Sequence, residues 1–325
     1  MTSNYQPPFS ISARSINLIA DISAQIERYA IRMEQEDGLL LRKINRIKTI
    51  QGSLAIEGNT LSESVITEIL EGKHVIAPLR EIQEVKNAIK TYDTFTSLNP
   101  FEVKDLLKAH GLMMEALIND SGRFRRGGVG VFAGARAVHI APPAERVPFL
   151  MNDLFQWLKE SHDHLLIRSC VFHYEFEFIH PFTDGNGRMG RLWQSLILTK
   201  LHPLFEHLPV ENIVFQNQQQ YYDAISKSSG DTDCGAFIEF MLEEIHTTLK
   251  KRQGVVLKTG TNDTVNDTVN DTVNFIKTNP KITIDELAAK LNKSRRTVTR
   301  VLKKLQEEGI ISRIGSDKTG YWEVK

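Results

Sequence analysis

The 325-residue sequence predicts a mainly α protein that carries one short β-hairpin and ends in a small α+β module. Three observations lead there. Apolar residues recur at helical spacing through most of Ser15 to Leu249. That pattern breaks between Ser121 and Arg146. From Gly260 the composition changes abruptly, and helical spacing returns only close to the C-terminus.

Each element has a local reason. Leu40, Ile44, Ile47 and Leu54 give a helix over Asp37 to Glu57, interrupted only by Gly52 and stopped by Gly58, a residue suited to a helix C-cap. Thr60 and Glu63 have capping-box spacing, and the next helix runs through Val65, Ile66, Ile69 and Leu70 to Gly72. Val129 and Val131, then Gly134-Ala135-Arg136, then Val138 and Ile140 ahead of Pro142-Pro143 read as a hairpin. Helices follow over Pro148 to Glu160, over Leu165 to Ile179, and after Asp184. The tetrapeptide Asn-Asp-Thr-Val then repeats in tandem from Asn262, Asn266 and Asn270. It reads as a linker, with helix extension through Phe275 and Ile276 as the alternative that its regularly spaced valines leave open. Ile284 to Leu291 and Ser294 to Glu308 read as two helices joined by Asn292-Lys293, with Gly309 ending the second. Ile310 to Arg313 and Tyr321 to Val324 alternate like strands around Gly315 to Gly320. Two helices in helix-turn-helix spacing followed by a hairpin describe a winged helix.

Composition bounds the function. Forty basic and forty acidic residues cancel, so no global field draws the protein to nucleic acid or an anionic membrane. Two cysteines, Cys170 and Cys234, are too few for a disulfide framework and badly spaced for zinc, which favours a reducing compartment. Neither a signal peptide nor a membrane-spanning run is evident, so the expected location is the cytoplasm, with no membrane partner.

The segment His180-Pro-Phe-Thr-Asp-Gly-Asn-Gly-Arg-Met-Gly-Arg191 concentrates chemistry. Gly185 and Gly187 let backbone approach a ligand, and the first N–H groups of the helix that opens here have no intrahelical partner. An anion is the natural guest of such a nest. Arg188 and Arg191, three apart, share one helix face and can grip polyphosphate oxygens. Asp184 is the carboxylate placed to hold Mg²⁺ against phosphates, and His180 is the candidate general base. Phe182, apolar among polar neighbours, suits a core anchor.

This segment resembles the signature of the Fic family, His-x-Phe-x-Asp/Glu-Gly-Asn-Gly-Arg-x-x-Arg, and matches each of its fixed positions. The resemblance implies a Fic-type helical core in which His180 deprotonates a target hydroxyl, Asp184 holds Mg²⁺ and Asn186 contacts the α-phosphate of ATP. It implies further that Arg188 and Arg191 bind the outer phosphates, that attack is in line at the α-phosphate, and that pyrophosphate leaves. The product would be AMP on a serine, threonine or tyrosine of a protein, perhaps of the chain itself. Hydrolysis of that AMP–protein bond at the same site is the reverse activity. A related transfer, of UMP or phosphate, is the alternative within the family.

Three further stretches extend the resemblance, which spans roughly Leu40 to Ile245. Ser53-Leu-Ala-Ile-Glu57-Gly-Asn59 looks like the Fic inhibitory sequence, Ser/Thr-x-x-x-Glu-Gly/Asn, which implies that Ser53 and Glu57 belong to a cis-acting N-terminal inhibitory helix and that Glu57 pairs with Arg191. A glutamate in a helix's last turn opposes the macrodipole, so helix stability alone does not account for it. The hairpin carrying Val129, Val131, Val138 and Ile140, preceded by Gly122-Arg-Phe-Arg125, matches in position the flap that docks a target by strand addition. Tyr221 and Tyr222, on a helical stretch from Gln216 to Ser226, match the part of the fold that lines the adenine pocket. Fic proteins of this class often form dimers, so a homodimer is a further expectation.

The expected division is an N-terminal helical region with the inhibitory helix over 1–90, a Fic catalytic core over 91–252, a linker over 253–274 and a winged helix over 275–325. From Asn279 to Lys325 there are eleven Lys or Arg against six Asp or Glu, with Arg295, Arg296 and Arg300 on the candidate recognition helix. DNA binding and protein interaction both remain open for this module, as does a DNA-binding regulator whose catalytic site is idle.

Overall fold

A computed structural model describes residues 5–35, 38–133, 136–208, 214–253, 272–273, 275–277, 279–280, 282–291, 294–307, 310–315 and 320–324. The chain divides into two compact units, Met1–Val255 and Val256–Lys325.

The first unit is helical apart from one hairpin. Its elements are α1 (Ala13–Gln35), α2 (Gly38–Ile56), α3 (Glu63–Leu70), α4 (Leu79–Asp93), α5 (Val103–Met113), β1 (Gly130–Ala133), β2 (Arg136–Ile140), α6 (Val147–Glu160), α7 (Leu165–Ile179), α8 (Asn186–Leu198), α9 (Gln218–Asp231) and α10 (Gly235–Gln253). At its centre is α7, whose run LLIRSCVFHYEFEFI carries apolar residues on every face and is therefore buried on nearly every side. It packs against α6, α8 and α10, while α1 lies along α10. The Phe155 ring meets Phe172 of α7 at 5.2 Å and Trp193 of α8 at 6.0 Å, locking three helices together. Trp193 also satisfies its indole N–H on the Pro100 carbonyl at 3.0 Å.

One local expectation needs correction. The N-cap of α3 is Ser62, whose hydroxyl accepts from the Val65 N–H, so Thr60 and Glu63 form no capping box. Thr60 is drawn elsewhere: both its N–H and its hydroxyl donate to Glu81 Oε2 of α4, at 2.6 and 2.9 Å. A charged acceptor from a neighbouring helix outweighs the local cap. The hairpin is also irregular. Val131 pairs with His139 and Phe132 with Ala137, which leaves Val138 as the extra residue of a bulge. Val131, Val138 and Ile140 lie on the strands and Val129 just before them.

The second unit holds α11 (Ile284–Lys290), α12 (Arg295–Glu307) and the antiparallel pair β3 (Ile311–Ile314) and β4 (Tyr321–Val324). Thr283 and Glu286 cap α11 reciprocally. Ile276, Ile282, Leu287, Val298, Val301, Leu302, Leu305, Ile311 and Trp322 form one buried cluster, as a winged helix requires. Val273, assigned to the linker by composition, is helical and packs on this cluster, and Thr272 beside it is fully buried. Most of the expected 253–274 linker, including the repeats up to Asp271, lies outside the described residues. Among the described residues, no helix is long and apolar enough to cross a membrane.

Candidate active site

The sharp turn between α7 and α8 builds the site. His180 caps α7 in the left-handed conformation, with φ 50° and its N–H on the Phe176 carbonyl at 2.9 Å. A non-glycine residue rarely holds that conformation without outside support. Arg125 supplies it. This guanidinium, 2% exposed, donates to four carbonyls: His180 at 2.7 Å, Ile179 at 3.3 Å, Gly127 at 2.8 Å and Pro142 at 2.5 Å. The Arg125 N–H adds a bond to the Pro181 carbonyl at 2.9 Å. One buried cation thus ties the His180 turn to the residues on both sides of the hairpin, and burial lowers its affinity for its proton.

The rest of the turn is equally fixed. Phe182 is fully buried, stacked on the His110 ring at 3.6 Å and close to Phe124 and Phe176. His110 of α5 accepts from the Gly122 N–H at Nδ1, so its Nε2 carries the proton and donates to the Asp184 carbonyl at 3.0 Å. Burial pushes the His110 pKa down to about 4, so the ring stays neutral and keeps that tautomer. Gly185 has φ 87°, and a Cβ there would stand 2.7 Å from Met114 Sδ, so only glycine fits. The Asn186 side chain brackets the turn, accepting from the Phe182 N–H at 2.9 Å and donating to the Phe182 carbonyl at 2.8 Å. One N–H and one oxygen lone pair of its amide are engaged there. Asn186, Gly187 and Arg188 also offer a ligand their backbone N–H groups, the first of α8, which have no acceptor within the helix.

Both arginines of the motif are 3% exposed, and each meets a carboxylate. Arg188 Nη2 donates to Asp184 Oδ1 at 3.0 Å. The same oxygen accepts from the Gly185 N–H at 2.6 Å, while Asp184 Oδ2 faces only Arg80 of α4, at 3.5 Å. Arg191 Nη2 donates to Glu57 Oε1 at 2.7 Å and to the backbone carbonyl of Ser53 at 3.0 Å. Burial alone would weaken the Arg191 cation, but the Glu57 carboxylate outweighs it and raises the pKa. Ser53 meets Arg191 through its carbonyl, while its hydroxyl is buried with no hydrogen-bond partner among the described residues. Gly187 makes the Glu57 contact geometrically accessible, since a Cβ there would stand 2.5 Å from Glu57 Oε1.

The two tyrosines separate. Tyr221 is 3% exposed, and its hydroxyl lies 3.0 Å from His173 Nε2 in the interior. Its neighbour Tyr222 is half-buried, with its hydroxyl 3.4 Å from Gln218 Nε2, and that amide also reaches the Ile56 carbonyl beside Glu57. Tyr222 is therefore the one with a face available to a ligand, and Tyr221 the one that supports it.

Arg125, His110, Arg80 and the buried Glu177 of α7 join the site without having been singled out for it by sequence. Arg125 falls in a quoted motif, but the carbonyl of His180 that it holds is 55 residues away. The other three carried no pattern that spacing could expose.

Comparison with known proteins bears on the family and the fold. The profile of the Fic/DOC family matches residues 100–198, and that of a winged helix-turn-helix DNA-binding family matches residues 266–312. Over nearly their whole lengths, 99% of this chain and 98% of the other, the chain is similar to the crystal structure of a Fic family protein from Desulfovibrio desulfuricans G20, with 41% identity and a TM-score of 0.74. Fic-1 from C. elegans shares the fold at 20% identity and a TM-score of 0.60, covering 74% of this chain and 72% of that one. Among curated relatives, the protein adenylyltransferase Fic of Aedes aegypti is 28% identical over 237 residues, or 69% of this chain and 45% of the relative. That of Nematostella vectensis is 30% identical over 204 residues, 59% of this chain and 45% of the relative. The chain thus spans about half the length of the curated relatives it matches.

Proposed function

This chain belongs to the Fic family, and from that premise we propose that it is an autoinhibited protein adenylyltransferase, moving AMP from ATP to a serine, threonine or tyrosine hydroxyl of a protein. The observation that carries this reading is the Glu57–Arg191 ion pair at 2.7 Å, formed beside the free amides that open α8. A carboxylate oxygen there stands in for a phosphate oxygen.

The chemistry follows from the placement. His180 takes the proton of the target hydroxyl, and the freed oxygen lone pair attacks the α-phosphorus. As the new P–O bond forms, the bond to the α–β bridging oxygen breaks and pyrophosphate leaves with that electron pair. His180 keeps the proton until solvent removes it. Asn186, Gly187 and Arg188 present amide N–H groups to the phosphate oxygens, and Arg188 and Arg191 neutralise the outer charge. Arg125 and His110 hold the turn so that these groups are in place before substrate arrives.

Asp184 suits Mg²⁺: it is a half-exposed carboxylate whose Oδ2 meets the exposed Arg80 at the long distance of 3.5 Å, beside the amides that would receive phosphates. Among the described residues no cluster of three or more His, Cys, Asp or Glu could hold a metal, so phosphate and water would complete the coordination. When bound, the ion would neutralise charge on the departing pyrophosphate. The hairpin, a two-stranded sheet, offers strand edges on which an extended target segment would add, with Val129, Val131, Val138 and Ile140 along them. Tyr222 would face the adenine.

The test is incubation of the full chain and candidate targets with Mg²⁺ and ATP labelled at the α- or the γ-phosphate. α-Label on protein is expected, and none with His180→Ala. Protein labelled from the γ-phosphate would instead mean phosphate transfer and would reject adenylylation.

The second unit favours DNA as an additional ligand, on the observation that Arg296 and Arg300 are exposed one turn apart on α12. Arg295 is already neutralised by Asp285, at 2.6 and 2.7 Å. Charge reversal at Arg296 and Arg300 is therefore expected to abolish low-salt DNA binding, with a smaller effect at Arg295. No binding by the wild type at low salt would remove this reading.

A further inference from the structure

Helix α8 is notched by two glycines, and each notch admits a carboxylate. A Cβ on Gly187 would stand 2.5 Å from Glu57 Oε1 and 2.9 Å from Arg191 Nη1. On Gly190 it would stand 2.7 Å from Glu177 Oε1. Glu57 arrives from beyond α2 and bonds Arg191 directly. Glu177 arrives from α7, and its Oε1 is buried with no hydrogen-bond partner among the described residues. A buried carboxylate oxygen without a donor is costly, so its position calls for an explanation.

The neighbours of Glu177 narrow that explanation. On its own helix, His173 Nε2 lies 3.9 Å away, too far for a hydrogen bond. His173 Nδ1 donates to Gln194 Oε1 at 2.7 Å, which makes Nε2 an acceptor for the Tyr221 hydroxyl. Burial pushes the His173 pKa down to about 4, so this ring is neutral. Tyr221, facing from α9, is held in its neutral form by burial and by the charge of Glu177. The charges that act on Glu177 are therefore Arg191 of α8 and Glu57. Burial raises the Glu177 pKa to about 7, Arg191 pulling it down and Glu57 pushing it up.

We propose that Glu177 is a second carboxylate acting on Arg191, and that its protonation state sets how readily the terminal phosphate of ATP displaces Glu57. The proposal rests on the reading that Glu57 and that phosphate compete for Arg191. When Glu177 is neutral, Arg191 faces one carboxylate and the incoming phosphate replaces it. When Glu177 is ionised, the phosphate enters next to a buried negative charge that does not leave. A phosphate carries more charge than the carboxylate it replaces, so its arrival raises the proton affinity of Glu177 further. Binding then takes up a proton, and ATP affinity falls as pH rises through about 7.

Calorimetric titration of the full chain with Mg²⁺ and α,β-methylene-ATP, which cannot give up AMP, reads this directly. Between about pH 6 and about pH 8.5 the wild-type affinity is expected to fall roughly tenfold, with proton uptake visible as a buffer-dependent enthalpy. Glu177→Gln should match the wild type at the acid end, stay within about twofold across the range, and take up no proton at the alkaline end. Titration of the analogue's own phosphate is common to both proteins and cancels in the difference. Should Glu177→Gln fail to fold, Glu177→Met fills the same notch without titrating and carries the same expectation. Glu57→Gly should bind more tightly at every pH and keep a slope whose midpoint moves to lower pH, because one repelling carboxylate is gone. An unchanged slope in the Glu177 variants overturns the proposal. Unchanged affinity in Glu57→Gly overturns the competition beneath it, and the two failures appear in different variants.

Discussion

The two arginines of α8 are both buried and both paired with a carboxylate, yet they are held across very different distances in sequence. Arg188 finds Asp184 one turn earlier on the same stretch of chain, so this pair forms wherever the turn forms. Arg191 finds Glu57 across 134 residues, just past the end of α2, which must be docked for the pair to exist. On the proposed function, the first pair belongs to the machinery and the second to its control. On that reading, opening the first would dismantle the phosphate site, whereas opening the second would only vacate it.

The difference can be broken by substitution. Asp184→Asn is expected to lower α-label incorporation roughly a hundredfold or more, the scale of losing a directed charge interaction at the transition state. Glu57→Gly should act in the opposite sense and raise incorporation about tenfold, within the usual range of coupling between two competing ligands. Changes of the same sign in both variants would mean that the two pairs do the same work. Ser53→Ala should be the quietest of the three, changing incorporation by less than about twofold. Arg191 bonds the backbone carbonyl at position 53, which alanine retains, and the lost hydroxyl has no partner among the described residues. A large effect from Ser53→Ala would move part of the control from Glu57 to that hydroxyl.

The same contrast explains what could be read from sequence. Several features set by neighbours in the chain were legible: α7 over Leu165–Ile179, a helix after Asp184, and the strand over Tyr321–Val324. Where a distant group intervened, local reading failed. Thr60 left its expected cap for Glu81, and Tyr221 turned inward to His173. The Asn186 amide spans Phe182, a contact of only four residues, yet spacing could not distinguish bracing the turn from reaching a ligand. His110, which supports Asp184 from 74 residues away, sits on an ordinary amphipathic helix. The pairing of Glu57 with Arg191 was reachable only through the resemblance to a known family, because neither spacing nor charge singles out Glu57 among forty acidic residues.

Arg125 carries one more consequence. Because the carbonyls of Gly127 and Pro142 share a guanidinium with His180, the hairpin has a fixed root and its two legs leave from a common socket. Tip and base are then separable parts. On the proposed function, residues between the legs could be lengthened, shortened or recoded to suit a different partner while the socket holds His180 still, so one chemical engine could be fitted with many grips.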